Sequence, residues 1–116
     1  MQIFTDRTQA ALEIGLTGEA QRQRATSNNI ANVNTPNFAA TRVEFEGSLA
    51  RALDSAGRAK VDISRSAGEP WASLNGNQVS LEEETTTLVK SGLHYEAIVN
   101  AINARFGLLG TAIGQR

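Results

Sequence analysis

Apolar residues in the last third of the chain recur at alternating steps of four and three. The ten positions at this spacing are Leu81, Thr85, Leu88, Gly92, Tyr95, Val99, Ile102, Phe106, Leu109 and Ile113. Eight of the ten residues are apolar, and the spacing is typical of a helix with one apolar face. The pattern predicts a helix of about 33 residues, which would be about 50 Å long.

The start of this helix carries its own signals. Ser80 and Glu83 have the spacing of a capping box, in which each side chain bonds the backbone N–H of the other residue. The carboxylates of residues 82–84 suit the positive end of the helix dipole. Three consecutive helical residues point in three directions, so we interpret this acidic run as a helix start and not as a metal site.

The N-terminal segment predicts a second helix, over residues 6–33. Its apolar positions near one face are Leu12, Leu16, Ala20 and Ile30, interrupted by Gln23 and Ser27. Gly15 and Gly18 each cost about 1 kcal/mol of helix stability relative to alanine. We place Arg22 and Arg24 on the solvated face of this helix.

The middle of the chain is short and rich in turn residues. Residues 41–49 alternate loosely as a short strand would, residues 49–56 could form helical turns, and Val61 with Ile63 could pair in a small hairpin. Trp71 is interpreted as closing a small core, with an exposed anchor at a protein interface as the alternative. The predicted fold is mainly all-α, with two long terminal helices packed as a coiled-coil-like pair around an irregular or short-β middle. The segments are 1–33, 34–79 and 80–116, and the two helical segments form one domain.

The composition of the chain makes several classes of function unfavourable. A chain of 116 residues with 11 basic and 12 acidic side chains has no cationic excess for binding nucleic acid. It contains no cysteine, so disulfides are excluded. The N-terminus lacks the pattern of a cleavable signal peptide, and the longest apolar-leaning run, residues 106–114, is far shorter than the roughly 20 residues of a membrane span.

The residues of the chain give little support for a catalytic role. His94 is the single histidine and has no second histidine or cysteine at ligand spacing, so we expect a solvated side chain on the helix surface. The glycines of residues 15–22 lack the lysine and hydroxyl residue of a phosphate-binding loop. We therefore expect no catalytic residue, no metal, no cofactor and no small-molecule substrate.

Between the first helix and the middle region lies the stretch NNIANVNTPNF, residues 28–38. Asparagine favours caps and turns over helix interiors. Asn28 and Asn29 can bond neighbouring backbone, and Asn32 or Asn34 can adopt the left-handed conformation that ends a helix. Residues 35–38 predict a type II turn, with proline second and asparagine at positive φ third.

This stretch, followed by VEFEGSL, resembles the signature of the flagellar basal-body rod proteins, an Asn-Asn-Ile-Ala-Asn helix end paired with a Thr-Pro-Gly-Tyr turn. Residues 75–114, beginning NGNQVSLEEE, resemble the C-terminal segment of the same family, and the proximal-rod type most closely. Asn37 and Phe38 depart from the family pattern, standing where glycine and tyrosine are usual. The signature residues are Asn28, Asn29, Ile30, Ala31, Asn32, Thr35, Pro36, Asn37 and Phe38.

The resemblance implies a structural subunit that polymerises helically in the periplasm into a hollow drive shaft for motility. It also implies passage through the flagellar type III export apparatus without a cleavable signal peptide. The implied partners are further copies of the chain, other rod subunits, the FliE-type adaptor and the membrane ring base. The expected self-association residues are Leu12, Leu16, Ile30, Leu81, Leu88, Tyr95, Val99, Ile102, Phe106, Leu109 and Ile113.

Three alternatives stay open at this point. The chain could be another axial subunit of the rod or hook type, or a helical export chaperone or adaptor whose heptads bind a client. A membrane-active amphipathic helix is the third, but the C-terminal helix lacks the Lys/Arg-rich face that such helices use.

Overall fold

The computed structural model describes residues 7–54, 64–67 and 76–114. The elements in chain order are α1 (Arg7–Ala31), β1 (Thr41–Glu44), α2 (Glu46–Asp54), β2 (Ser64–Ala67) and α3 (Leu81–Gly114). The predicted fold class is confirmed: two long helices pack against each other, and a small middle region of strands and one short helix connects them. Val61, Ile63 and Trp71 lie outside the described residues.

The 34-residue helix α3 begins where its cap predicted. The hydroxyl oxygen of Ser80 accepts a hydrogen bond from the backbone N–H of Glu83 at 3.4 Å, and the Ser80 carbonyl accepts from Glu84 N at 2.9 Å. The reciprocal half of the predicted capping box is replaced, because the Glu83 carboxylate accepts from Arg42 at 3.2 Å. The cap is therefore one-sided, and Glu83 ties α3 to β1.

Helices α1 and α3 run antiparallel. Asn29 near the end of α1 contacts Glu84 at the start of α3, whereas Glu19 contacts Ser91 further along α3. Residue numbers thus rise along α1 as those of their partners fall along α3. The resulting helical hairpin makes the molecule long and thin, with extents of 67 × 25 × 14 Å.

The middle region lies on one side of this hairpin. Strands β1 and β2 pair antiparallel, with Thr41 opposite Ala67 and Glu44 opposite Ser64. The predicted strand over residues 41–49 ends at Glu44, and the predicted helical turns begin earlier, at Glu46. The chain leaves the strand early because Phe45 must turn inward to pack against α1.

A small apolar core joins α1 to β1 and α2. Ile14, Val43 and Phe45 are buried, and Ala25 and Leu49 pack against them. The ring of Phe45 lies directly over Gly18, where an added Cβ would stand 2.3 Å from the ring carbon Cγ. A side chain of any size at position 18 would displace the ring, so this glycine is required by close packing.

We expect Gly18→Ala to lower the free energy of unfolding by about 1–2 kcal/mol, because overpacking outweighs the roughly 1 kcal/mol that alanine contributes to a helix. Urea unfolding followed by circular dichroism measures the change. Gly107→Ala is the matched control, since nothing lies within 4 Å of a Cβ there. The control should be stabilised, and an equal gain for Gly18→Ala would contradict the packing argument.

Candidate assembly surface and its asparagine elbow

The chain leaves α1 through a tightly bonded segment, residues 28–38, which we call the elbow. The N–H of Asn32 is shared between the carbonyls of Asn28 and Asn29, at 3.2 and 3.1 Å. Asn32 Nδ2 donates to the Asn28 carbonyl at 2.8 Å, and Thr35 Oγ1 donates to Asn32 Oδ1 at 3.0 Å. Local bonding from an asparagine side chain to the backbone is thus present at Asn32 and not at Asn28 or Asn29, where it was predicted: the Asn28 side chain contacts the Asn32 amide, and Asn29 bonds Thr41.

The elbow closes with the predicted turn. Phe38 N donates to the Thr35 carbonyl at 3.3 Å, and Asn37 has a φ of 62°. Asparagine tolerates this left-handed conformation better than most residues, which explains why it can stand in place of glycine. The expected left-handed residue at Asn32 or Asn34 is wrong, because α1 ends in tightened i→i+3 hydrogen bonds instead.

Asn29 has a long-range role that the sequence did not reveal. Its side chain is buried, with 1 % exposed, and it bonds both backbone groups of Thr41: Nδ2 donates to the carbonyl at 2.8 Å and Oδ1 accepts from the N–H at 2.9 Å. Nδ2 also donates to Glu84 Oε2 at 3.1 Å. One amide therefore connects the end of α1, the start of β1 and the first turn of α3.

The segment before α3 fastens the elbow from the other side. Asn77 Nδ2 donates to the carbonyls of Asn32 and Thr35, at 2.8 and 2.7 Å, while its Oδ1 accepts from Val79 N at 2.8 Å. Gln78 N donates to the Phe38 carbonyl at 2.9 Å. The two stretches singled out in the sequence, residues 28–38 and the lead of residues 75–114, thus meet in space.

Arg22 is not on the solvated face of α1, as predicted, but is mostly buried, with 18 % of its side chain exposed. Its Nε and Nη2 donate to the Val43 carbonyl at 3.2 and 2.9 Å, and its guanidinium carbon lies 4.7 Å from the centre of the Phe45 ring. It also bonds Glu19 at 3.2 Å and Glu46 at 2.5 Å. Together, Asn29 and Arg22 take up backbone groups of β1 that a third strand would otherwise bond.

These contacts lower the pKa of the Glu46 carboxyl. Partial burial alone would raise its pKa, but hydrogen bonds from Arg22 and from the backbone of Glu46 and Phe45 outweigh that effect and hold the pKa below its ordinary value. A depressed pKa means that the ionised form is favoured by folding, so this contribution is present at neutral pH and is lost as the pH falls through the pKa of the folded state.

Polar residues also mediate the contact between α1 and α3. Ser91 Oγ donates to Glu19 Oε2 at 2.6 Å, and both residues are buried. His94 Nδ1 lies 3.4 Å from Glu19 Oε1, although 64 % of the histidine side chain is exposed, as a surface position predicts. Glu84, interpreted above only as part of an acidic helix start, is 5 % exposed and bonded to Asn29.

We call the ten predicted positions along α3 the seam. The line of α3 residues that faces α1 is shifted by one residue from half of the seam. The contact line toward α1 contains Glu84, Ser91 and Ile98, whereas the sequence pattern marked the residues that directly follow them. Half-buried seam residues are Leu88, Tyr95, Val99, Ile102 and Leu109. Exposed seam residues are Leu81, Phe106 and Ile113, with 51 %, 57 % and 64 % exposed.

The same displacement occurs in α1. The buried positions include Gly15, Glu19 and Asn29, and the apolar residues Leu16, Ala20 and Ile30 follow them directly and are half-buried, as is Leu12. One residue is about 100° of helix rotation. In two antiparallel right-handed helices, this step turns both sets of apolar residues toward the same side of the hairpin.

That side is opposite the middle region. Ala20, Gln23 and Ser27 of α1 line a shallow groove together with Tyr95 of α3. We call this side the apolar face and define it by Leu12, Leu16, Ala20, Ile30, Leu81, Leu88, Tyr95, Val99, Ile102 and Phe106. No described residue of β1, α2 or β2 lines the groove at its centre.

On the side of the middle region there is a cleft of about 390 Å³ between β1 and α3. Its volume falls within the range of small-molecule pockets, but such pockets are mainly apolar. Charged and hydroxyl side chains, Arg22, Arg42, Glu46, Thr87 and Lys90 among them, line this cleft. Among the described residues, no group of three or more His, Cys, Asp or Glu side chains is placed to hold a metal ion.

Helix α3 meets the length and composition criteria of a membrane span, with an 18-residue window of mean hydropathy 1.2 that is not buried. The expectation that no segment would do so is wrong on this criterion, because it considered only short uninterrupted apolar runs. A helix that packs its apolar residues against other proteins has the same composition.

We expect Asn29→Ala to lower the free energy of unfolding by about 2–3 kcal/mol, because it leaves the buried backbone groups of Thr41 and the Glu84 carboxylate without their partner. Chemical unfolding of the isolated chain measures this loss. Asn28→Ala is the control: Asn28 is exposed, and its side chain makes only a 3.3 Å contact with Asn32. Similar losses for both variants would show that Asn29 has no special role.

Comparison with known proteins shows which proteins the elbow and α1 resemble. The family model described as "Flagella basal body rod protein" matches residues 11–38, which cover most of α1 and the elbow. The flagellar basal body rod protein FlgB of Bacillus subtilis (strain 168) is 29 % identical over 126 aligned positions, covering 97 % of each chain. The protein of the same name from Borreliella burgdorferi is 25 % identical over 101 positions, covering 68 % of this chain and 75 % of its own.

These matches include the residues that build the geometry described above. The residues of the family match contain Gly18, Arg22 and Asn29, and the longer alignment extends over nearly the whole chain. Over these residues the chain is similar to the flagellar basal body rod proteins.

Proposed function

We propose that the chain is a structural subunit of the proximal rod of the bacterial flagellar basal body. Two relatives with the name FlgB support this function, one of them aligned over 97 % of both chains. The observation that carries the proposal within the structure is the apolar face, because a thin helical hairpin that leaves one side uncovered is built to be completed by neighbours.

The proposed action is assembly and not catalysis. In the cleft between β1 and α3, Arg22 is paired with both Glu19 and Glu46. These paired charges connect α1 to the middle region and contribute to the fold. The proposal includes no cofactor and no small-molecule substrate.

The self-association residues named from the sequence are proposed to act through the apolar face, which Leu109 and Ile113 extend toward the end of α3. Leu81 and Phe106 are more than half exposed near opposite ends of α3, and Val99 lies between them, so the face extends along most of the helix. In an extended rod, such a face meets a different surface of the next subunit, and the contact propagates as a helix. The proposed occupants are further copies of the chain and other rod subunits.

The remaining partners and the route of export are proposed from the similarity to rod proteins. They are the FliE-type adaptor and the membrane ring base as neighbours, and the flagellar type III export apparatus during secretion, with the periplasm as the site of assembly. A role as another axial subunit is the nearest alternative, since rod and hook-type subunits share the requirement for exposed apolar helices.

The function is tested by deleting the gene for this chain in its own bacterium. We expect the deletion strain to lose swarming motility and to lack rods in basal-body preparations, and a plasmid copy of the intact chain to restore both. Electron microscopy of isolated basal bodies gives the structural readout. Normal rods in the deletion strain would overturn the proposed function.

The apolar face is tested with Phe106→Asp in the same strain. A carboxylate placed in an apolar contact loses its hydration without gaining a partner, so we expect rod assembly and swarming to be lost. Ala104→Asp is the matched control: it adds the same charge two residues away, at an exposed position about 160° around the helix.

Both variants should keep the helicity and the unfolding midpoint of the native chain, because both positions are exposed in the isolated subunit. Swarming by the Phe106→Asp strain at the native rate would contradict the assignment of this face. Equal loss of swarming in both variant strains would also contradict it.

A further inference from the structure

Two buried polar pairs mark the contact between α1 and α3. Glu19 and Ser91, with 3 % and 1 % exposed, are joined by a hydrogen bond of 2.6 Å. Asn29 and Glu84, with 1 % and 5 % exposed, are joined at 3.1 Å. Charged side chains are almost never this deeply buried without a specific partner.

The apolar residues of the hairpin do not by themselves select one alignment of the two helices. The apolar positions of α3 repeat every seven residues, so sliding α3 by seven residues, about 10 Å, replaces one apolar set by another. Hydrophobic contact is non-directional and would be similar in both alignments. Some other interaction has to distinguish them.

The surroundings of Glu19 change sharply in the displaced alignments. A shift of seven residues in one direction brings Ile98 to the place of Ser91, and a shift in the other direction brings Glu84 there. Arg22, on the same helix, would stay beside Glu19, but the Ser91 hydroxyl and the His94 ring would be lost as partners. The carboxylate would then face either methyl groups or a second carboxylate.

We propose that Glu19 and Ser91 determine the register of the α1–α3 hairpin, with Asn29 and Glu84 reinforcing it at the elbow. A single buried polar contact is known to select one register in paired helices. The consequence extends to the surface, since the register determines which apolar residues of α1 and α3 lie side by side. This inference concerns the isolated chain and does not depend on the proposed function.

Pulsed electron–electron resonance on the full-length chain measures the register directly. Spin labels at Arg24→Cys and Asn103→Cys occupy exposed positions on the two helices, and the natural chain has no cysteine that would compete for the label. Dilution with unlabelled protein suppresses distances between molecules. We expect one label-to-label distance for the otherwise native chain.

Replacing both members of the pair, as Glu19→Leu with Ser91→Leu, should add a second distance shifted by about 10 Å from the first. Arg22 keeps Glu46 and the Val43 carbonyl as partners in this variant, so no buried cation is left unpaired. Exchanging the two side chains, as Ser91→Ile with Ile98→Ser, tests the direction in which α3 slides. It moves the hydroxyl to the displaced site and should add a distance about 10 Å shorter, because that shift brings residue 103 closer to residue 24.

Thr26→Val is the matched control, since it removes a buried hydroxyl from α1 while leaving Glu19 and Ser91 in place. It should keep the single native distance. A single native distance in both double variants would overturn the proposal, as would loss of any defined distance, because the pair is proposed to select the register and not to hold the helices together. A shifted distance in Thr26→Val equal to that of the double variants would also overturn it.

Discussion

The buried amide of Asn29 is the contact on which the junction of α1, β1 and α3 depends. It satisfies both backbone groups of Thr41 and one oxygen of Glu84, so three elements meet at a single side chain. Because these groups are removed from water, any movement of α1, β1 or α3 away from this point leaves one of them unsatisfied. Asn77 has a similar function on the other side of the elbow, where it bonds the carbonyls of Asn32 and Thr35. The asparagine-rich stretch is therefore a junction between distant segments as well as the end of a helix.

A second consequence follows from using polar side chains between the long helices. Glu19, Ser91, Asn29 and Glu84 occupy the contact line, and the residues of the apolar face lie beside it. The middle region covers the opposite side through Phe45, whose ring fits against α1 because Gly18 has no side chain. An isolated globular protein would cover its apolar residues first, since their burial provides most of its stability. This chain leaves part of them accessible, which agrees with the proposed assembly into a rod.

Much of the fold was predictable from local sequence. The start of α3 after Ser80, the end of α1 among asparagines and the turn at residues 35–38 depend on side chains that bond backbone within four residues. Such interactions are the same in any fold that contains the segment. The prediction was wrong for Arg22, and it missed the contacts of Glu84 and Gly18, for a common physical reason. Their partners, Val43, Asn29 and Phe45, are between 21 and 55 residues away in the chain, and a charge or a glycine in a helix gives no sign of a partner at that distance.

The sequence by itself determined the two long helices, the elbow between them, the mainly helical fold class and the resemblance to rod proteins. The apolar period determined that α3 is a helix, but it did not determine which side of the helix faces α1. That choice was made by tertiary structure: Glu19 and Ser91, 72 positions apart in the chain, are bonded to each other on the contact line, and the residues of the apolar face lie beside it. A repeating pattern specifies a helix through local backbone geometry, whereas the rotation of one helix against another is decided by which buried polar groups find partners.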